Sequence, residues 1–198
     1  MDAVTARDRV LDAAEELFYA HGVHAVGIDD IRDASGVSLK LLYQLFSGKE
    51  ELVEAVLERR DVRWRGRLAA YVAGVEQPEM RILAVFDWLH QWFSETAFRG
   101  CAWINLNGEL GATSPAVCRQ ARAHKLAFIE YLRELVLAAQ LPDSMTGQLA
   151  LLAEGAMVTA GIFARADPAL EAREAAARLI QAARTDPSFD AVATASAG

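Results

Sequence analysis

Apolar residues recur three and four positions apart along almost the whole chain, and no stretch alternates apolar with polar for long enough to suggest a strand. Val10, Leu11, Ala14, Leu17 and Phe18 make the first such stripe. Thr5 is placed to cap it, and His21-Gly22 to stop it. Short helices are expected over 28–35 and 38–46. A longer one starts near Lys49, runs past Trp64 toward Tyr71, and turns Leu52, Val53, Val56 and Leu57 inward. After a break at 74–78, residues 80–96 are apolar around most of a helical circumference. Asp87, His90, Gln91 and Ser94 are left as one polar stripe.

Ser114-Pro115 and Asp167-Pro168 each set a capping side chain before a proline at the first helical position, and Pro142-Asp143-Ser144 marks another start. Helices are therefore expected over 115–139, 144–165 and 168–184, with a fraying small-residue tail at 185–198. The expected fold class is all-α, about nine helices in total. A three-helix head over 1–48 precedes a helical body over 49–184.

Composition narrows the setting. At 53% hydrophobic over 198 residues, the chain can build its core without disulfides or metals. Cys101 and Cys118 show no paired spacing, and nothing at the N-terminus resembles a secretory segment, so a reducing cytoplasm is the expected location. No apolar run approaches the roughly 18 residues that span a bilayer, so no membrane association is expected. The net charge of −7 opposes nucleic-acid binding in bulk, since such binding is driven by cations displacing counterions. Any DNA footprint must come from a few well-placed cations.

The segment Gly36-Val37-Ser38 joins the second and third helices in the manner of a helix-turn-helix, whose second helix presents its first residues to the major groove. Here that helix offers Ser38, Leu39, Lys40, Leu41, Tyr43 and Gln44. Lys40 suits guanine acceptors or a phosphate, Gln44 suits adenine, and the leucines suit a thymine methyl. Val37, Leu42 and Phe46 fit the inward face, packing on Ile31, Ala34, Leu17 and Phe18.

Residues 7–57 resemble the N-terminal domain of the TetR (tetracycline repressor) family of transcriptional regulators. The resemblance runs through Ala13-Ala14, Leu17-Phe18, Gly22, Ile31, Ala34, Gly36-Val37-Ser38, Tyr43, Phe46, Lys49-Glu50 and Leu52. It implies that Tyr43 and Lys49 hold DNA phosphates and that the helix starting at Lys49 links head to body. Gly27, Arg32, Leu41 and Leu45 depart from the family pattern, where a hydroxyl cap, alanine, threonine and histidine are common. Fewer direct phosphate bonds are expected in consequence, with Lys40, Arg32 and backbone amides as substitutes.

In the body, Trp88, Trp92, Phe93, Cys101, Trp103, Asn107 and Phe128 combine apolar walls with few polar groups, as a ligand pocket requires. The resemblance likewise implies a small effector held among the body helices. Small and apolar stripes at Leu149, Leu152, Ala156, Ala160 and Phe163, and at Ala176, Leu179, Ile180 and Ala183, are the expected dimer interface. The resemblance implies a four-helix contact there, and two reading heads on a palindrome need two-fold symmetry.

His21, His24, His90 and His124 show no metal-ligand spacing, and no catalytic constellation emerges. No metal, no cofactor and no enzymatic activity are expected. The leading function is a dimeric repressor of a palindromic operator, released by a small apolar or aromatic effector. The alternative is a helical small-molecule carrier or enzyme with a vestigial DNA-binding head. A third version keeps DNA binding and makes the body a pure interaction module.

Overall fold

A computed structural model describes residues 2–185; the expected tail from 186 onward lies outside them. Among the described residues the chain forms nine α-helices and no strand: α1 (Ala3–His21), α2 (Ile28–Ser35), α3 (Leu39–Leu45), α4 (Lys49–Ala73), α5 (Pro78–Phe93), α6 (Ala102–Leu110), α7 (Pro115–Ala138), α8 (Met145–Phe163) and α9 (Pro168–Thr185). The all-helical expectation holds. Helix α6 is the element the hydrophobic pattern did not delimit, because nine residues containing two asparagines and a glycine carry little periodic signal.

The chain divides into two compact units. One holds the chain up to Arg63 together with Ala102–His124, and the other holds Trp64–Cys101 together with the chain from Lys125 onward. Helices α4 and α7 contribute to both.

In the first unit, α1 buries Ala6, Val10, Leu11, Ala14 and Phe18 on one face. Its cap is Asp2, not the expected Thr5. The Asp2 carboxylate accepts from the Thr5 backbone N–H at 2.9 Å and from the Thr5 hydroxyl at 2.8 Å, so Thr5 stands three residues inside the helix. Helices α1, α2 and α3 pack on one another. Val37, Leu42 and Phe46 are buried as expected beside Ile31 and Phe18, whereas Ala34 is exposed and takes no part in that core.

The second unit is built from the end of α4, α5, most of α7, and α8 and α9, with α5, α8 and α9 in mutual contact. Its centre is aromatic. Trp64 meets Trp88 edge-on at 5.0 Å between ring centroids, and meets Trp92 and Phe128 at 5.5 Å each, while Phe98 closes on Trp92 at 5.0 Å. Edge-to-face pairs at such distances are favoured by the ring quadrupoles. Gly161 permits a close backbone approach, because a Cβ there would stand 3.0 Å from the Cα of Gly100.

Helix α8 is, contrary to the expectation of no such run, long and apolar enough by length and composition to cross a membrane, with 19 residues and a mean hydropathy of 1.2. Its apolarity has another use. Met145, Leu149, Ala153, Met157 and Ala160 are fully buried against the rest of the unit, as in the core helix of a globular protein.

Candidate nucleic-acid interface

The α2–α3 turn is fixed by Gly36, whose φ of 64° ends α2 in the left-handed conformation that glycine adopts without steric cost. Ser38 then caps α3, its hydroxyl accepting from the Leu41 N–H at 3.3 Å. With Leu42 and Phe46 turned inward, the opposite face of α3 is left to solvent: Ser38, Leu39, Lys40, Tyr43 and Gln44 are all exposed, Tyr43 to 49%. Leu41 is half-buried.

Helix α4 starts at Lys49 behind a small clamp. The Ser47 backbone N–H and hydroxyl both donate to Glu51 Oε2 at 2.7 Å. These two bonds hold the Glu51 carboxyl below its ordinary pKa.

Part of the acidic surplus of this unit is engaged locally. Asp30 accepts from the Gly27 N–H at 2.7 Å, the reciprocal half of a capping box, while Gly27 itself has no side chain to cap α2. Arg32, expected as a substitute phosphate donor, lies between Asp29 at 2.5 Å and Asp33 at 2.8 Å in exposed ion pairs on α2. Arg59 and Arg60 pair with Glu15 at 2.9 and 3.0 Å, and Arg63 reaches the same carboxylate. Among the described residues the side chains of Lys40 and Lys49 make no ion pair and no hydrogen bond.

A second part of this unit comes from α6 and the start of α7. The Glu109 carboxylate accepts from the backbone N–H groups of both Val23 and His24. Ser114 donates to Glu50 at 3.3 Å, and Gln120 donates to the Glu54 carbonyl at 3.2 Å. Buried His124 stacks on Trp103 at 3.4 Å between ring centroids, and its Nδ1 lies 2.6 Å from Asp61. A cavity of about 260 Å³ opens among Val23, His24, Lys49, Glu50, Val53, Leu110, Thr113, Ser114 and Val117.

The residues expected to line one ligand pocket fall in both units. Trp88, Trp92, Phe93, Cys101 and Phe128 belong to the second and are all buried. Trp103 and Asn107 belong to the first, where Trp103 is stacked on His124 and Asn107 accepts from the Cys118 thiol at 3.4 Å. Sequence proximity to the tryptophans did not reveal this, because the boundary between the units falls between Cys101 and Ala102, just before Trp103.

The residues expected at a dimer interface are largely covered by their own chain: Leu149, Ala156, Ala160, Ala176 and Ile180 are buried where α8 packs on α9. Leu152, Leu179 and Ala183 are half-buried, and Phe163 alone of the set is well exposed, at 66%. The apolar surface left on α8 is instead Leu151, Val158 and Ile162, next to Phe163.

Residues 10–56 match the family described as bacterial regulatory proteins, tetR family. A TetR-family transcriptional regulator from Streptomyces coelicolor is 31% identical in a structural match covering 88% of this chain and 95% of that one, with a TM-score of 0.78. This chain belongs to the TetR family of transcriptional regulators. A second TetR-type structure, from Streptomyces avermitilis, is 30% identical over 91% of this chain and 99% of that one, with a TM-score of 0.74. Over the head alone, the transcriptional activator FasR of Mycolicibacterium smegmatis is 53% identical across 53 residues, 27% of this chain and 24% of FasR. The chain thus spans about a quarter of that relative's length. These relatives are regulators rather than enzymes, and the carrier or enzyme reading is not favoured.

Proposed function

We propose that this protein is a cytoplasmic, dimeric repressor that grips a palindromic operator through α3 and the start of α4 and lets go when its helical body takes a small apolar or aromatic molecule. One observation carries the DNA reading: in a unit where several acidic residues are engaged in caps and ion pairs, the side chains of Lys40 and Lys49 stay unpaired. Tyr43 and Lys49 hold phosphates, Lys40 and Gln44 read base edges, and Ser38, Leu39 and Leu41 make short-range contacts. The cluster of Trp88, Trp92, Phe93 and Phe128, with Cys101, supplies the apolar walls for the effector. The exposed face of α8 supplies the dimer contact that sets two heads about 34–36 Å apart on successive major grooves.

Sequencing the DNA fragments that the protein retains from its own genome tests this reading. Recovery of one palindromic motif upstream of a few genes is the expected result, with those genes expressed more strongly when the protein is deleted. Retention of no common motif would remove the DNA reading, and lower expression on deletion would make the protein an activator.

A further inference from the structure

We propose that the cavity among the α1–α2 turn, the start of α4 and the α6–α7 turn is a second small-molecule site, distinct from the aromatic cluster, and that it takes a small organic monoanion of the carboxylate type. Its walls are Val23, Val53, Leu110 and Val117, and Lys49, half-buried as a residue, lines it with a side chain that makes no ion pair. An anion that brings its own apolar body supplies this unpaired lysine with a counter-charge while filling the space between the valines. At about 260 Å³ the cavity lies just below the range of about 300–1,000 Å³ typical of ligand sites, so the occupant is small.

The remaining charge sets the ligand's valence. Glu50 also lines the cavity, tied to Ser114 through its Oε1. Its negative charge beside a single lysine opposes a dianion such as phosphate and leaves room for one negative charge. Ser114, itself buried, Thr113 and the His24 imidazole supply further polar atoms at the wall. The consequence for regulation rests on the proposed role of Lys49 in DNA binding: a carboxylate on this ammonium competes with an operator phosphate for it. The site would therefore weaken DNA binding by occupying the clamp itself.

The test is a titration of the full-length, DNA-free protein with benzoate, using benzamide as the neutral analogue of the same shape. Benzoate should bind at least ten-fold more tightly than benzamide, with amide NMR shifts concentrated at Val23, Val53 and Val117. Thr113→Trp at the exposed rim and Val117→Met inside should each cost benzoate at least ten-fold in affinity, with operator affinity within two-fold of the parent. Equal binding of the two probes, shifts confined to other residues, or undiminished benzoate affinity in Thr113→Trp would overturn the site. Saturating benzoate should also lower the salt dependence of operator binding by about 0.9, the value of one phosphate contact. If benzoate binds as described and that slope does not move, the cavity stands and the role of Lys49 on DNA falls.

Discussion

The carboxylate of Glu109 near the end of α6 accepts from two successive backbone N–H groups, those of Val23 at 3.0 Å and His24 at 2.5 Å, in the turn that follows α1. Gly22, with φ of 83°, opens that turn and leaves both amides without helical partners, and one side chain 85 residues away satisfies them together. Glu109→Ala should cost about 1–3 kcal/mol, the range for leaving charge-assisted bonds unmade, while Glu109→Gln should recover part of it. Urea unfolding of the two variants measures this. Equal stability of Glu109→Ala and the parent would show that water replaces the carboxylate at no cost.

The DNA face separates grip from reading. Lys49→Ala and Tyr43→Phe should weaken binding to operator and random duplex alike, and Lys49→Ala should reduce the salt slope by about 0.9. Gln44→Ala should instead cost about 1–3 kcal/mol on the operator and relax one base position, leaving random DNA unaffected. Fluorescence anisotropy across a salt series with both duplexes tells the two classes apart.

Much of this head was legible in sequence because its signals are local. Gly36, Ser38 and the inward Val37, Leu42 and Phe46 specify a turn, a cap and a core face within a dozen residues, and the structure places each as expected. What stayed hidden depends on residues distant in sequence. No local pattern could show that Glu109 bonds to Val23 or that His124 stacks on Trp103. The stripes on α8 and α9 carry a different ambiguity: small residues signal close helix approach, and periodicity does not say whether the approaching helix belongs to the same chain.

Acid should loosen the start of α4 before it unfolds the rest. The Ser47 hydroxyl and N–H hold the Glu51 carboxyl below its ordinary pKa, so the folded form binds that proton less readily than the unfolded chain. The stabilisation is thus fully present above the unfolded value of about 4.3 and is lost as pH falls through the lower folded value. Protection of the Ser47 amide, measured against its intrinsic exchange rate at each pH, should fall over that window in the parent. In Glu51→Gln it should already be low at neutral pH and should lack the acid transition.

His124 is 3% exposed, stacked on one buried ring and bonded to Asp61 at 2.6 Å. Replacing it with Ala removes a ring that fills core volume and strips the Asp61 carboxylate of this partner. A loss of about 2–5 kcal/mol is expected, as for other large-to-small core changes. His124→Phe keeps the stack and loses only the polar bond, so it should fall between Ala and the parent. Chemical denaturation ranks the three, and a His124→Phe variant as weak as His124→Ala would assign the stabilisation to the Asp61 bond rather than to packing.

The solvent face of α8 bears on assembly. Leu151, Val158 and Ile162 are exposed to 75%, 42% and 72%, and with Gly155 they follow the 4-3-4 spacing of a single helical stripe. Apolar surface of that kind on a monomer marks an interaction site, and a two-fold axis would bring the same stripe from a second copy against it. In such an interface each charge placed on the stripe appears twice and is desolvated against its own image. The double variant Leu151→Glu, Ile162→Glu should therefore sediment at half the parent mass, with its helical circular dichroism unchanged because neither side chain is part of the intrachain core. Operator affinity should drop more than ten-fold, since one head on a half-site lacks the effective concentration that its tethered twin supplies. A variant that remains dimeric would move the interface off this face and back toward the half-buried Leu152, Leu179 and Ala183.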